Sequence, residues 1–316
     1  MKIESIDFYS VMVSINKMFV VRYRNIWFIF SAILIALSAY TIFAYGFDLS
    51  IDFKGGTITE VRYEGELPGK ESIETAIKTL GIGGFSVRPS ENDRYIVRTR
   101  ELSESERQGL LAAFSQGQSA FTIERQNTIG PTAGSELKSK AIKAITVVVL
   151  MIVLFVTFAF RKVSSPVSSW KYGLATIVAL AHDVIIPTGV FVFLGHFIGV
   201  EIDLLFITGL LAILGYSVHD TIVVFDRVRE NLRVNTEKNF KEDFETTVGK
   251  SVAQTFGRSI NTSLTIFITL LALYLVGSSA TKDFALLLIV GIIAGTYSSI
   301  FVASPLLVTF YKWQKR

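Results

Sequence analysis

Leu204-Leu205-Phe206-Ile207-Thr208-Gly209-Leu210-Leu211-Ala212-Ile213-Leu214-Gly215-Tyr216-Ser217-Val218-His219-Asp220-Thr221-Ile222-Val223-Val224-Phe225 contains a single acidic residue, Asp220. An apolar helix of about 20 residues is what crossing about 30 Å of hydrocarbon requires. The stretch therefore reads as a membrane span with one carboxylate inside it. The same texture recurs along the chain, giving expected spans at residues 26–47, 140–160, 173–200, 203–226, 259–278 and 284–311. Asp183 interrupts the third of them as Asp220 interrupts the fourth.

The composition agrees. Of 316 residues, 50% are hydrophobic and only 18% charged, against roughly a quarter charged in a soluble domain; a purely water-soluble protein is excluded. The net charge of +4 would suggest nucleic acid in a soluble protein, but here the basic residues flank the spans, and no nucleic-acid partner is expected. With no cysteine, disulfides, thiolate metal sites and cysteine nucleophiles are ruled out. The first span follows Lys17, Arg22 and Arg24 and is longer than the 7 to 15 apolar residues of a signal peptide, so it reads as a retained anchor.

Basic residues fall on alternate sides of the spans. Lys2, Lys17, Arg22, Arg24, Arg161, Lys162, Lys171, Arg227, Arg229, Arg233, Lys238, Lys241, Lys250, Arg258, Lys312, Lys315 and Arg316 lie on one side, and the short connections of the other offer Lys282. Positive charge resists translocation. The N-terminal segment 1–25, the loop 227–258 and the tail 312–316 are therefore expected in the cytoplasm, and residues 48–139 outside. Lys138, Lys140 and Lys143 run against the rule but end a long domain, where it is weakest.

That outer segment reads as β-α-β-β-α-β. Residues 57–63 are β-rich, 71–80 have helical spacing, 85–89 and 95–99 are short strands, and 120–129 return to strand. Gly81, Gly83 and Gly84 supply breaks, and Ser103 with Glu106 forms a capping-box pattern. The order predicts a ferredoxin-like sheet covered on one face by two helices. The fold class expected is thus an α-helical polytopic membrane protein, six transmembrane helices with a small α+β ferredoxin-like (βαββαβ) outer domain. In 227–258, mixed charges interspersed with Val228, Leu232, Phe240, Phe244 and Val248 fit either a helix pair along the membrane surface or a solvated loop. Gly291, Gly295 and Ser299 make a small face on the last span that lets another helix approach.

An ionisable residue in mid-span costs at least about 2.5 to 3.5 kcal/mol and needs a partner or a wet cavity. Asp183 and Asp220 each follow a histidine, His182 and His219, on neighbouring antiparallel spans. They suggest one polar pocket drawing also on Asn261 and Thr262. Arg258, opening the fifth span, is the natural counter-charge for Asp220. A carboxylate that loses and regains an arginine partner changes its proton affinity, so Asp220 with Arg258 makes a candidate proton relay. A structural ion pair is the alternative, and for Asp183 the two readings weigh equally. The histidines read as packing or hydrogen-bonding groups, and no metal or cofactor is expected.

Enzyme readings fail on spacing. Gly249-Lys250-Ser251 resembles the end of a phosphate loop, but Phe244 stands where the motif needs glycine. Ser217, His219 and Asp220 cannot line up as a triad from helix positions about 100° apart. For an aspartic protease there is only the aspartate pair itself.

Several blocks resemble one family. Ile51-Asp52-Phe53-Lys54-Gly55-Gly56, Ile129-Gly130-Pro131-Thr132-Ala133-Gly134, the long block from Gly215 to Asn231, and Arg258-Ser259-Ile260-Asn261-Thr262-Ser263 are similar to signature blocks of the SecF family of protein-translocase membrane subunits, within SecD/SecF and the resistance-nodulation-division superfamily. The resemblance implies an auxiliary, non-enzymatic subunit of the bacterial cytoplasmic (inner) membrane, working with SecD beside the SecYEG channel. Its role would be to use the proton motive force to promote export of preproteins. It also implies that Asp220 carries the proton with Arg258 assisting, and that a SecD half is a separate subunit. Asp52, Gly55, Gly56, Gly130, Pro131 and Gly134 then look like the joint between outer domain and membrane. A small-molecule transporter half of the same superfamily and a passive scaffold of the channel are the other readings.

Overall fold

The computed structural model describes residues 18–65, 67–90, 93–115, 120–161, 167–240, 242–277 and 279–314. Residues 1–17 of the N-terminal segment, and Lys162, Lys241, Lys315 and Arg316 from the charge count, lie outside them. The elements in chain order are α1 (Phe19–Arg22), α2 (Arg24–Tyr45), α3 (Ile51–Lys54), β1 (Gly56–Glu64), α4 (Lys70–Thr79), β2 (Phe85–Ser90), β3 (Arg94–Thr99), α5 (Glu104–Phe114), β4 (Ala120–Ile129), α6 (Pro131–Ala159), α7 (Ser169–Ile198), α8 (Leu204–Glu237), α9 (Phe244–Val276), α10 (Ser279–Ser298), a π-helical turn (Ser299–Ala303) and α11 (Ser304–Gln314). Among the described residues six helices are long and apolar enough to cross a membrane: α2, α6, α7, α8, α9 and the run Thr281–Gln314.

The chain divides into two compact units. One comprises Phe47–Ala144 with Leu194–Ile207. Its sheet has the order β2-β3-β1-β4, every pair antiparallel, which is the ferredoxin-like arrangement the element order predicts. Strand alternation explains how it closes. Val61 and Tyr63 of β1, Val87 of β2, and Tyr95 and Val97 of β3 are buried with Ile73 and Ile77 of α4 and Leu110 and Phe114 of α5. Residues of opposite parity pair as ions: Arg94 with Glu60 and Glu124, and Arg62 with Glu124. The capping box at Ser103 forms in full, fixing the start of α5. The segment Leu194–Ile207 joins this unit through a parallel bridge between Leu49 and Ile202, an addition to the expected 48–139 domain.

The other unit holds the described residues up to Gly46, Ile145–Phe193, and the chain from Thr208 onward. Small residues set its closest helix crossings. A Cβ on Gly189 would lie 2.3 Å from the Ser38 Cβ and 2.5 Å from its Cα, and Thr41 donates to the Gly189 carbonyl at 3.0 Å. A Cβ on Gly291 would meet Ile213 at 2.1 Å, and one on Gly295 would meet Ser217 at 3.1 Å. The small face of the last span is therefore packed against α8 within the chain. Because a backbone atom blocks Gly189, Gly189→Ala is expected to cost at least the upper part of the about 1–3 kcal/mol typical of overpacking, read as a lowered melting temperature of the detergent-purified protein.

Of the two readings of 227–258, the helix pair is the one that forms, built as extensions of the flanking spans, and the loop is not. α8 runs on to Glu237 and α9 begins at Phe244, so the two spans extend as one hairpin. Asn231 donates to Ser251 at 2.8 Å and Asn235 to Thr247 at 3.1 Å, while Val228, Val248 and Val252 are buried. These contacts zip the extensions together, and Asp243 caps α9 by accepting from the Thr246 amide.

Candidate functional site

The two intramembrane aspartates have different surroundings. Asp183, on α7, is fully buried. Its Oδ1 lies 2.8 Å from His182 Nδ1, and its Oδ2 accepts from the hydroxyls of Ser217 on α8 and, at 2.8 Å, Ser298 on α10. Pro187 lies inside α7, and with no N–H to offer it withholds the usual helical donor from the Asp183 carbonyl four residues back. The His182 ring stacks on Tyr297 at 5.7 Å between centroids, and Tyr297 donates to the Trp27 carbonyl at 3.0 Å. Asp183 is thus a carboxylate held at both oxygens.

Asp220, on α8, is also buried, but only Oδ1 is held, by the Ser259 hydroxyl at 2.6 Å. Its Oδ2 is buried with no hydrogen-bond partner among the described residues. An unpaired buried oxygen is costly to leave so, and a carboxylate in that state is suited to take a proton there. Thr221, the next residue, shares a hydrogen bond of 2.8 Å with Ser299 of the π turn.

The expected ion pair between Asp220 and Arg258 is not formed: Arg258 is exposed, and among the described residues no ion pair to Asp220 occurs. Neighbouring helix positions point about 100° apart, so the turn of α9 that aims Ser259 inward aims Arg258 away. For the same reason Asn261 and Thr262 are exposed, and His219, one residue before Asp220, is exposed on α8. The expected pocket of Asp183, His182, His219, Asn261 and Thr262 is therefore corrected: Asp183 and His182 are inside it, and the other three are not. Hydroxyls from Ser217, Ser259, Ser298 and Ser299 line the interior in their place, with Ser263 bonded to Thr296 at 2.6 Å nearby.

The glycine-bearing residues come together in the other unit. Gly55 has φ of +77°, and a Cβ there would lie 2.8 Å from the Pro131 Cα; a Cβ on Gly134 would lie 2.8 Å from the Gly55 nitrogen. Backbone thus packs on backbone where Gly55-Gly56 meets the first turn of α6, and side chains at either position would force them apart. Gly130 adjoins this contact and donates no such constraint of its own. Asp52 Oδ2 accepts from the Leu204 amide at 2.9 Å, capping the start of α8.

Comparison with known proteins adds an independent finding. Residues 110–313 match the model of the protein export membrane protein SecD/SecF, C-terminal, and residues 40–66 match that of the SecD/SecF GG motif. The chain belongs to the SecD/SecF family. It is 38% identical to protein translocase subunit SecF of Thermobaculum terrenum, over 92% of this chain and 93% of that one, and 34% identical to the same subunit of Sebaldella termitidis, over 92% and 91%. Its fold is similar to the crystal structure of SecDF, a translocon-associated membrane protein, from Thermus thermophilus, with a TM-score of 0.78 and 36% identity. That match covers 95% of this chain and 39% of the SecDF chain, so this protein spans about two-fifths of the fused relative.

In this SecD/SecF member the segment matched as the GG motif contributes Asp48 and Lys54 to an ion cluster that no local sequence pattern announces. Glu201, between α7 and α8, pairs with Arg98 of β3 at 2.8 Å and lies 3.8 Å from Arg88 of β2. Arg88 also reaches Asp48 at 3.2 Å, and Lys54 reaches Asp48 at 3.4 Å. Residues far apart in sequence meet here because the Leu49–Ile202 bridge brings the 199–204 segment to the sheet. Burial pushes the Glu201 carboxyl up from the ordinary 4.5 to about 7, against the pull of Arg98 and Arg88. Its folded-state affinity for a proton thus exceeds the unfolded one. The stability from that proton is complete below about 4.5 and is lost as pH rises through about 7. Hydrogen exchange of residues 199–204, corrected for the intrinsic pH dependence, is expected to quicken over that window, and Glu201→Gln to flatten the profile.

Proposed function

We propose that this protein is an auxiliary subunit of the bacterial Sec protein translocase, acting with a SecD partner to drive preprotein export with the proton motive force. The observation that carries the reading is the buried Asp220 Oδ2, a carboxylate oxygen in mid-span without a hydrogen-bond partner among the described residues, beside a series of hydroxyl groups. Asp220 is the proton-accepting group; Asp183, with both oxygens held, anchors the helices around it. One charge crossing 100 mV is worth about 2.3 kcal/mol, enough to bias helix packings a few kcal/mol apart. Family membership and relatives named as protein translocase subunits support the export role. The chain is a multi-pass protein of the bacterial inner membrane, with both termini and the 227–258 segment assigned to the cytoplasm and residues 48–139 to the outside by the distribution of basic residues. SecYEG and the emerging preprotein are its proposed partners on the same reading.

A second feature supports the SecD partnership. Arg258, Asn261, Thr262, Thr265 and Thr269 form an exposed stripe along α9, at helical spacing. Charge and amide groups inside a span do not face lipid. We assign this stripe, with the exposed His219, to contact with the SecD half, where Arg258 would regain access to the relay. Since the chain has no cysteine, a cysteine placed at Thr265 is the only thiol. Thr265→Cys is expected to crosslink to a SecD chain carrying a single cysteine in its own spans. Crosslinking only to a second copy of this chain would contradict the assignment and favour a homo-oligomeric transporter.

A further inference from the structure

We propose that the turn between α7 and α8 is the transmission element of this protein, with Asp52 and Arg88 as positioning residues that clip it to the sheet. Displacement of α8 at Asp220 then reaches the sheet through main-chain bonds. The proposal rests on the proton-coupled reading and specifies where a proton taken up at Asp220 becomes movement.

Residues Leu194–Ile207 belong to the unit that contains the sheet, whereas α7 up to Phe193 and α8 from Thr208 belong to the other. Both helices are continuous across that boundary. Hydrogen bonds explain why the turn goes with the sheet. The Ile202 amide donates to the Asp48 carbonyl at 2.8 Å, and the Ser50 amide to the Ile202 carbonyl at 2.9 Å. The Asp52 carboxylate accepts from the Leu204 amide at 2.9 Å. Gly199, with φ of +77°, makes room for the Arg88 guanidinium, since a Cβ there would lie 2.3 Å from the Arg88 Cζ. Arg88 in turn reaches Asp48 at 3.2 Å.

On the sheet side the clip is set in fixed structure. The Ser50 hydroxyl accepts from the Asp52 amide at 3.1 Å, capping the short helix α3, whose Ile51 and Phe53 are buried. α3 leads through Gly55 and Gly56 into β1, and a Cβ on Gly56 would lie 2.5 Å from the Thr99 carbonyl oxygen of β3. β1 is an inner strand, between β3 and β4. The first residue of α8 is thus hung from a helical turn packed on the middle of the sheet. In the other direction α8 is one helix without proline from Leu204 to Glu237, and Asp220 lies about 24 Å from its start at 1.5 Å per residue. α7 is the softer path, because Pro187 stands between Asp183 and the turn. Packed helices slide as units, by about 1–2 Å in known transitions, so a shift of α8 at Asp220 is delivered to Leu204. Asp52 and the pairing of Ile202 with residues 48–50 hand it on to β1.

The test uses the full chain with its SecD partner and the channel in proteoliposomes, with preprotein export and proton flux measured in the same vesicles. Asp52→Ala combined with Arg88→Ala is expected to keep the proton flux and lose most of the export it drives, whereas a general structural defect lowers both together. The clip can also be replaced, since the chain has no cysteine and Leu49 and Ile202 are paired. Leu49→Cys with Ile202→Cys, oxidised to a disulfide, is expected to leave export at the wild-type level, because the clip stays closed throughout the cycle. Added to the Asp52→Ala, Arg88→Ala chain, the same tie is expected to restore export, and reduction to remove it again. The proposal is overturned by export that survives in the unclipped chain, by export and flux lost in proportion, by a tie that blocks export in the otherwise unaltered chain, or by no recovery on oxidation. Unchanged flux in Asp220→Asn would instead overturn the proton-coupled reading on which it rests.

Discussion

Asp220→Asn is expected to yield a chain that inserts and accumulates normally but has lost the proton-driven component of export entirely. The loss is complete because asparagine keeps the shape and can still accept from Ser259, yet has no oxygen that takes up a proton. Stability is little affected: among the described residues the Asp220 side chain has one hydrogen-bond partner, and its second oxygen contributes nothing to the folded state in its unpaired form. Export assayed in cells and in inverted vesicles, with and without an uncoupler, measures this directly, and immunoblotting for the subunit separates loss of function from loss of protein. A passive scaffold predicts a silent substitution.

Asp183→Ala is expected to have the opposite profile, reducing the amount of folded protein before any question of transport arises. Its carboxylate receives donors from three helices, namely His182 beside it on α7, Ser217 of α8 and Ser298 of α10. Truncation leaves those donors buried without their acceptor, and breaking a buried charged network in this way costs about 3–5 kcal/mol, a large part of the stability of most domains. Asp183→Asn, which retains one acceptor oxygen, is expected to fall between wild type and alanine. Thermal inactivation in detergent ranks the three, and a ranking in which Asp183→Ala is as stable as wild type would remove the anchoring role.

Much of this architecture could be read from the sequence because its signals are periodic. Six apolar runs need no tertiary information, and the capping box at Ser103 with strands of alternating character placed the four-stranded sheet. The aspartates stood out because charge is rare in a span. What the sequence hid was direction around a helix axis. In the run from Arg258 to Thr265 all but Ile260 and Leu264 are polar or charged, and only packing against α8 and α10 determines that Ser259 and Ser263 face inward while Arg258, Asn261 and Thr262 do not. Serines gave a weak signal, since a small residue after a GxxxG step reads as a packing surface; Ser299 is that, and a hydrogen-bonding group as well. The π turn and the Glu201 cluster left no local pattern at all, one being a change of helical register and the other a meeting of segments about a hundred residues apart.

The central claim, that this chain moves protons at Asp220 in concert with its partner, is tested most directly by proton flux into proteoliposomes. The vesicles would hold the chain, SecD and the channel, with an imposed pH gradient and a pH-sensitive dye inside. A flux that appears when a preprotein engages the channel, and is abolished by Asp220→Asn, is the predicted result. Equal flux in the wild type and the Asp220→Asn variant would contradict the account.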